Sequence, residues 1–315
     1  MVNKKIQKAA ILILFFSLIF PNGYSKSKKA LAYSELQVKE EARLLPQTFY
    51  LIKNAYPDVQ FSEVFDWKYM DWKITIISEE RKTDLYWCNG KFLPESELVN
   101  ENNYWSLLYD YPKEIPDPAN FTEDDIKRIR EFSSPKNRKE GPGTPPFFYD
   151  AVYHCDSYEH ISPELRDITF LGKRSTVHKL IREPLKKVQE EILESSKVDE
   201  KVLDFVNKLS QVQCFNWREI RDSKSRSFHS MGIAFDVLPK GWGQKNLYWG
   251  WRRDIDRDNW MKLPLDRRWM PPAKVIEIFE NNGFIWGGKW IIWDNMHFEY
   301  RPEQIAWQRY KCLKK

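Results

Sequence analysis

Apolar and polar positions alternate along the chain with two different periods, which divide it into helical and β-like stretches. Residues 36–57 are predicted to form a helix-rich lead-in that ends in a turn at Pro57 and Asp58. The β-like runs DWKITII and DLYWC follow, and Asn89-Gly90 between apolar flanks is a strong hairpin signal. We therefore expect two or three antiparallel strands in this part of the chain.

Helical spacing returns after this β-rich stretch. Thr122, with an acidic residue three positions later, predicts a capped helix through about Phe132. Residues 175–195 keep an apolar stripe at helical spacing, within which Pro184 is expected to kink or divide the helix. A second helix is predicted over about residues 198–209.

The C-terminal part changes to short β-like runs, namely CFNWREI, IAFDVL, FIWGGKW and HFEYR. One helix intervenes, opening with proline and closing at Gly283. Helices followed by a mostly antiparallel sheet predict an α+β fold. Residues 133–147 concentrate proline, glycine, serine and charge, so we expect a linker or long surface loop there. It would join an N-terminal region over residues 33–132 to a C-terminal domain over residues 148–315.

The N-terminus has the layout of a signal peptide. Three lysines precede an apolar run over residues 9–20, which Pro21 ends. A run of about 12 residues is too short to span a bilayer, which needs ~20, so export is favoured over a membrane span. We predict a signal peptide over residues 1–25, with cleavage after Ser25 or as late as Ala32. The mature protein is expected in the periplasm or outside the cell.

Composition and charge narrow the class of protein. The 315 residues are 42% hydrophobic and 30% charged, which is ample for a globular core. The net charge of +5 is spread along the chain, so no nucleic-acid partner is indicated. The four cysteines form no C-x-x-C pair, which argues against a zinc knuckle. In an oxidising compartment they could form up to two disulfides with three possible pairings. They are Cys88, Cys155, Cys214 and Cys312.

A candidate metal cluster lies in the C-terminal β-like runs. Because successive strand side chains alternate, Asp236 in IAFDVL lies on the face opposite to the apolar residues. In HFEYR the same alternation sends His297 and Glu299 to one face. His229 with Asp236 and His297 supplies two nitrogens and one carboxylate, which would leave a tetrahedral zinc one open position. Asp294, in the turn before His297, is then available as a base.

The same residues make the chain similar to a known family. SFHSMGIAFD matches S-x-H-x-x-G-x-A-x-D, and WGGKWIIWDNMHFE matches the later half of the same signature. The chain resembles the zinc peptidases of the bacterial cell wall, which include D-alanyl-D-alanine carboxypeptidases, D-Ala-D-Ala dipeptidases and L-alanyl-D-glutamate endopeptidases. The resemblance covers roughly residues 200–300. It implies a D,D-peptidase/hedgehog-like fold that carries Zn²⁺ and acts on peptidoglycan peptides.

The resemblance also implies roles for single residues. Carried over by position, it makes His229, Asp236 and His297 the zinc ligands. It makes Asp294 the general acid/base. A lone histidine near a strand is most often a structural hydrogen-bonding group, so the metal assignment depends on the joint spacing of the four residues.

Further positions carry weaker assignments. Arg218 falls where the family has an arginine that binds the substrate carbonyl or carboxylate, with Arg221 as a rival. Ser227 falls on the motif serine near the substrate. Glu299 either accepts a hydrogen bond from the free nitrogen of His297 or is solvated. The other histidines lack motif context and are expected to be structural or exposed: His154, His160 and His178.

Two features depart from the carboxypeptidase pattern. That branch usually carries glutamate in E-P-W-H, whereas Asp294 stands in D-N-M-H. Together with WGGKW, this looks more like the endopeptidase branch. Residues 241–269 are longer than the usual link, and their tryptophans either line a glycan or peptide cleft or pack the insert onto the domain. Residues 36–147 have no counterpart in the resemblance.

We therefore predict a secreted zinc metallopeptidase that hydrolyses stem peptides of peptidoglycan, as an L-Ala-D-Glu-type endopeptidase. A D-Ala-D-Ala carboxypeptidase is the alternative within the same class. A non-catalytic wall-binding module on the same fold is the alternative from a different class, because fold alone does not confer function. The intact ligand set and base argue against that last alternative. No stable membrane span is expected after signal cleavage.

Overall fold

The computed structural model describes residues 45–223 and 225–313. The predicted signal peptide and the beginning of the lead-in lie outside these residues. In the part of the chain that is described, no helix is both long enough and apolar enough to cross a membrane. Leu45–Lys315 groups into one compact unit.

Helices and strands follow one another in the following order. The α-helices are α1 (Gln47–Ala55), α2 (Glu123–Phe132), α3 (Pro135–Glu140), α4 (Phe147–Tyr153), α5 (Tyr158–Ile161), α6 (Arg182–Ser195), α7 (Glu200–Lys208), α8 (Trp249–Ile255), α9 (Ala273–Asn281) and α10 (Pro302–Leu313). The strands are β1 (Gln60–Asp66), β2 (Asp71–Ser78), β3 (Arg81–Tyr86), β4 (Leu165–Phe170), β5 (Lys173–His178), β6 (Leu209–Gln213), β7 (Ala234–Pro239), β8 (Phe284–Trp286) and β9 (His297–Tyr300). Short 3₁₀ turns, among them Phe228–Met231 and Gly287–Lys289, join several of these elements.

Three antiparallel strands, β1, β2 and β3, form the N-terminal sheet. Ile74 and Ile76 of β2 are buried while their neighbours are half-exposed, as a strand with one covered face requires. The expectation of two or three antiparallel strands is confirmed. Asn89-Gly90 does not turn between two long strands, however, because it lies in a 3₁₀ turn beyond β3 that is closed by a single bridge from Tyr86 to Leu93.

The C-terminal part contains a two-stranded sheet, β4 with β5, and a four-stranded sheet in the order β6-β7-β9-β8. All named strand pairs are antiparallel. The structure combines helices with sheets that are entirely antiparallel, so the α+β prediction is confirmed. Strand β7 is central and buried along its whole length, which places the residues next to it in the interior.

Several local predictions are wrong. The first four residues of the predicted helix over 175–195 belong to strand β5, because they pair with β4, and helix α6 begins only at Arg182. Pro184 neither kinks nor divides α6, since it lies in the first turn, where no intrahelical N–H is needed. CFNWREI is not a strand but a loop held by one bridge between Glu219 and Arg226. The capped helix after Thr122 is confirmed, including its capping box.

The predicted linker over residues 133–147 contains helix α3 and runs within the compact unit. One hydrophobic cluster includes Phe49 and Ile74 of the N-terminal region together with Phe235 and Phe298 of the four-stranded sheet. The N-terminal region and the C-terminal domain therefore share a core, although the boundary between them stays a prediction about the sequence.

The cysteines form no disulfide, in contrast to the expectation of up to two. Three of the four thiols are buried, those of Cys88, Cys155 and Cys214. The Cys88 thiol donates to Glu101 Oε2 at 3.1 Å. The Cys155 thiol donates to Asp150 Oδ1 at 3.3 Å. Burial raises the pKa of Cys88 to about 12, so this thiol is unreactive at neutral pH.

Candidate metal centre

His229 is positioned by a 3₁₀ turn over Phe228–Met231. The turn begins at Ser227, whose hydroxyl accepts a hydrogen bond from the His229 N–H at 3.3 Å. It ends at Gly232, which has φ +68° and whose added Cβ would lie 2.8 Å from the backbone nitrogen of His178. The spacing S-x-H-x-x-G therefore encodes one capped turn that only glycine can close.

Asp236 and His297 face each other across the sheet. They are paired in the register of β7 with β9, and the next pair, Phe235 with Phe298, points into the core. His297 Nδ1 lies 2.8 Å from Asp236 Oδ1. The alternation argument made from the sequence thus places both groups on one face, as expected.

These three side chains converge to form what we call the metal cluster: His229, Asp236 and His297. His229 Nε2 lies 3.2 Å from Asp236 Oδ2 and 3.2 Å from His297 Nδ1. The three residues are between 3% and 8% exposed. Ligand groups from one short stretch, His229 and Asp236, and from His297 about 60 residues later therefore share one small buried volume.

The other nitrogen of each histidine has an acceptor of its own. His229 Nδ1 lies 2.5 Å from the carbonyl oxygen of Cys214, and His297 Nε2 lies 3.1 Å from Glu299 Oε1. Glu299 is 7% exposed, so it is not the solvated glutamate that the sequence allowed. These acceptors favour the tautomers that zinc ligands need, in which the proton lies on the outer nitrogen and the lone pairs of His229 Nε2 and His297 Nδ1 point into the cluster.

This donor set fits zinc. Ligands at about 2.0–2.1 Å in tetrahedral geometry lie roughly 3.3 Å apart, close to the separations within the cluster. Two imidazoles and one carboxylate are a ligand set of catalytic zinc sites, which keep the fourth position open. The orientation of both imidazoles by outer acceptors is also usual around bound zinc. His229, Asp236 and His297 are therefore the residues that would hold the ion.

The charges within the cluster favour a cation. Burial raises the pKa of Asp236, but the neighbouring imidazoles of His229 and His297 outweigh this effect and hold it well below its usual value. Burial lowers the pKa of His297, but its hydrogen bonds to Asp236 and Glu299 raise it well above the usual value. The site thus stabilises an ionised carboxylate and positive charge beside it.

Asp294 lies in the turn that enters β9, and its backbone N–H donates to the Gly287 carbonyl at 3.0 Å. An added Cβ at Gly287 would lie 2.7 Å from the Asp294 carbonyl oxygen and 3.1 Å from its Cβ, which explains the glycine in WGGKW. The Oδ1 atom of Asp294 is buried without a hydrogen-bond partner. Burial raises the pKa of Asp294 to about 7, with a further contribution from the Asp236 carboxylate. A carboxyl with this pKa can both accept and donate a proton near neutral pH.

The two candidate arginines have different surroundings. Arg218 is exposed, and its guanidinium donates to the carbonyl of Glu219 at 3.4 Å. Its positive charge opposes the rise in the pKa of Asp294 without cancelling it. Arg221 forms an ion pair with Asp254 at 2.8 Å. Arg218 has no ion pair with a carboxylate among the described residues, whereas Arg221 has one. Arg218 is therefore the arginine that is available to bind an anionic or carbonyl group.

The insert over residues 241–269 uses its aromatic residues in two ways. Trp249 and Trp260 are buried and pack against helix α2. Trp242 and Trp251 remain partly exposed, with ring centroids 5.6 Å apart. Packing of the insert onto the domain is therefore confirmed for Trp249 and Trp260, whereas a role of Trp242 and Trp251 in a cleft stays a prediction.

Tyr248 of the insert was not singled out from the sequence. Its backbone bridges that of Asp294, and burial together with the Asp294 charge raises the pKa of its phenol to about 12. An aromatic residue in an insert outside any motif carries no signal that could have identified it. The Tyr248 phenol is thus a neutral neighbour of the candidate base.

A second group of metal-ligand type lies elsewhere, and we call it the lysine cluster: Glu79, His154 and Glu164, with Lys179 among them. Lys179 Nζ lies 2.5 Å from Glu79 Oε1 and 2.6 Å from Glu164 Oε2. His154 Nε2 is 3.1 Å from the Ser78 carbonyl. The ammonium group already supplies the cation that the carboxylates require.

The other two histidines have structural surroundings. His178 Nε2 lies 2.9 Å from the Tyr153 carbonyl, and burial lowers the pKa of His178 to about 4. His160 is exposed and lies 2.7 Å from Asp156. Neither residue lies in the metal cluster.

Comparison with known families matches two separate parts of the chain. Residues 221–300 match a family described as D-alanyl-D-alanine carboxypeptidase, and residues 48–109 match a domain of unknown function. No curated protein and no solved structure matches the chain. The first match includes the metal cluster and Asp294, and it supports the zinc peptidase family and a peptidase activity.

Proposed function

We propose that the protein is an exported zinc metallopeptidase that hydrolyses peptide bonds in the stem peptides of peptidoglycan. The observation that carries this proposal is the convergence of three ligand side chains, each pair of which approaches to within 3.2 Å, together with the Asp294 carboxyl, whose Oδ1 is buried and whose pKa is raised to about 7. The family match over residues 221–300 supports the same class of reaction.

Each group has a distinct task in the proposed reaction. Zinc, when bound, supplies Lewis-acid polarisation of the scissile carbonyl. The Asp294 carboxylate accepts a proton from the attacking water and later donates it to the leaving amine. The guanidinium of Arg218 binds a carbonyl or carboxylate of the substrate. Ser227 caps the turn that carries His229, and the family resemblance places it near the bound substrate.

Within this class we assign the protein to the L-Ala-D-Glu endopeptidase type. Support comes from aspartate rather than glutamate at position 294 and from WGGKW, whose Gly287 admits the Asp294 turn. The description of the matching family favours a second candidate, a D-Ala-D-Ala carboxypeptidase. The two differ in the bond that is cut, so the products decide between them.

The decisive experiment incubates the zinc-loaded protein with defined muropeptides and identifies the products by mass spectrometry. An L-Ala-D-Glu endopeptidase generates a new amino group on D-glutamate, whereas a carboxypeptidase releases D-alanine. Asp294→Asn serves as the control for contaminating hydrolases. A protein that binds zinc stoichiometrically yet cleaves none of these substrates would instead be a wall-binding module.

The role of Arg218 is tested by a matched pair of variants. Arg218→Gln should raise the KM about 10- to 100-fold, because a hydrogen bond to a charged group is lost. Arg221→Gln removes an equal charge three residues away but breaks only the surface ion pair with Asp254, so its KM should stay near wild type. Equal effects of the two substitutions would refute the assignment.

Export is proposed from the basic start, the short apolar run and the cell-wall substrate class. The mature chain is expected to begin near residue 26 or 33 outside the cytoplasm. N-terminal sequencing of the protein from its native compartment tests this, and an intact form that begins at Met1 in the cytosol would contradict it.

A further inference from the structure

A short segment of the N-terminal region, Leu107–Tyr111, bonds to residues before and after His297 in the chain, Trp290 and Arg301, and we call it the support segment. The Leu107 carbonyl accepts a hydrogen bond from Arg301 Nη2 at 2.8 Å. The Tyr109 N–H donates to Gln304 Oε1 at 3.2 Å, and its carbonyl accepts from Gln304 Nε2 at 2.6 Å. Backbone groups of the support segment are thus bonded to the end of β9 and the start of α10, next to His297.

Two hydroxyl groups of the support segment reach the other side of the same ligand. Trp290 Nε1 donates to the Tyr109 hydroxyl at 2.9 Å, and the Trp290 ring centroid lies 5.6 Å from that of His297. The Trp286 N–H donates to the Tyr111 hydroxyl at 2.8 Å. Trp286 bonds through its backbone at the end of β8 and Trp290 bonds through its indole, so the support segment contacts both ends of WGGKW, whose Trp290 ring packs against His297.

A buried ion cluster joins the support segment to the ligand itself. Arg301 lies between Glu299, whose Oε2 is 3.5 Å from Arg301 Nη1, and Glu303, which bonds to Arg301 Nε. Glu303 also accepts hydrogen bonds from the hydroxyl groups of Tyr56, at 2.7 Å, and Tyr149, at 3.0 Å. Because Glu299 Oε1 contacts His297 Nε2, the path from Tyr56 to the ligand is continuous.

Arg301 also contacts the second histidine ligand indirectly. Its guanidinium lies 5.1 Å from the centroid of the Phe228 ring, and Phe228 directly precedes His229. Arg301 is 3% exposed and Glu303 is 0% exposed. Such a buried cluster is costly to desolvate and contributes little net stability compared with apolar packing, so its retention calls for another reason. The contact of Glu299 with His297 supplies that reason.

We propose that the N-terminal region completes the metal centre: the support segment and Arg301 are positioning groups that hold Glu299 and Trp290 against His297, so that the ligand is oriented before zinc binds. This inference rests on zinc binding by the metal cluster in the proposed function. It gives the matched domain of unknown function, which includes Leu107 and Tyr109, an intramolecular role in the peptidase site. A separable wall-binding module would have no such effect on the metal.

The test measures the zinc dissociation constant of full-length variants by competition with a chelator, and the thermal midpoint of the same variants without metal. Tyr109→Phe removes only the acceptor for Trp290, and Arg301→Lys replaces the planar fork that bonds to Glu299, Glu303 and Leu107. Tyr86→Phe is the control, because it also removes a tyrosine hydroxyl from the N-terminal region, but Tyr86 is buried in β3 and donates to Asp66 rather than accepting from Trp290.

We expect zinc to bind roughly 10- to 100-fold more weakly to Arg301→Lys, the scale measured when outer partners of metal ligands are changed. Tyr109→Phe should weaken zinc binding about three- to tenfold within the same principle. Tyr86→Phe should keep the wild-type zinc affinity even if its thermal midpoint falls. Glu299→Gln, which keeps an acceptor oxygen for His297, should bind zinc more tightly than Glu299→Ala.

Wild-type zinc affinity in both Tyr109→Phe and Arg301→Lys would overturn the inference, whatever their thermal midpoints. If Arg301→Lys fails to fold, Tyr109→Phe and the two Glu299 variants decide the matter. Failure of the proposed function gives a different result, because the wild-type protein itself would then bind no stoichiometric zinc.

Discussion

The metal cluster has two histidines and one carboxylate, and the lysine cluster has one histidine and two carboxylates. Both place ligand atoms within reach of one ion, yet only the metal cluster is suited to bind it. In the lysine cluster Lys179 lies 2.6 Å from Glu164 and 2.5 Å from Glu79, so one ammonium group is already paired with both carboxylates. In the metal cluster no lysine or arginine ion pair contacts Asp236 among the described residues. The comparison teaches that ligand spacing indicates a metal site only where the protein has not already supplied the cation.

The largest effect on zinc binding and turnover is expected when a histidine of the metal cluster is replaced. His229→Ala and His297→Ala should each lose stoichiometric zinc and reduce turnover to background, because two ligands hold a divalent ion far more weakly than three. Metal analysis of the purified variants together with initial rates on a wall peptide checks this. Full zinc content and near-normal turnover in both variants would show that the ion binds elsewhere.

The two aspartates of the site should fail in different ways. Asp294→Asn should retain zinc but lose on the order of 10²-fold or more in turnover, the scale of general acid–base catalysis. Asp236→Asn should lower zinc affinity first and activity as a consequence, so added zinc should partly restore only this variant. Zinc titration with initial rates separates them. The opposite pattern would exchange the two roles.

The raised pKa of Asp294 also predicts a pH dependence of stability in the metal-free protein. Because the folded-state pKa of about 7 exceeds the unfolded value near 4, wild type loses stability as pH rises between these values. Asp294→Asn lacks this loss, so its free energy of unfolding should exceed that of wild type by a few kcal/mol at pH 8, on the order set by a three-unit shift. At pH 4 the two should be nearly equal. Denaturant unfolding at both pH values checks this, and an equal difference at both would refute the assigned pKa.

The smallest effect is expected in the lysine cluster. His154→Gln should leave one zinc per chain and turnover within about twofold of wild type, while the lost contact with the Ser78 carbonyl costs about 1 kcal/mol of stability. Metal analysis, initial rates and thermal unfolding of this variant provide the comparison with His229→Ala. A loss of zinc in His154→Gln would show that the lysine cluster is the metal site.

The local part of the site could be predicted because its geometry is encoded by short spacing. S-x-H-x-x-G specifies a turn that Gly232 closes, and alternation along β7 and β9 places Asp236 and His297 on one face. The strand β5 was missed because apolar spacing over six residues does not distinguish a strand from the first turns of a helix. The pairing with β4, a long-range contact, decided it.

The sequence by itself determined the turn around His229, the shared face of Asp236 and His297, and the α+β class, because each follows from residue spacing and backbone geometry. Only the tertiary structure decided that Lys179 occupies the second cluster, that Glu299 is buried against His297, and that Leu107–Tyr111 bonds to Trp290 and Arg301. Two of these contacts join residues that are distant along the chain, Lys179 with Glu79 and Leu107 with Arg301, and the third depends on the burial of Glu299 beside Arg301. Their free energy comes from burial and charge pairing, which no local pattern records.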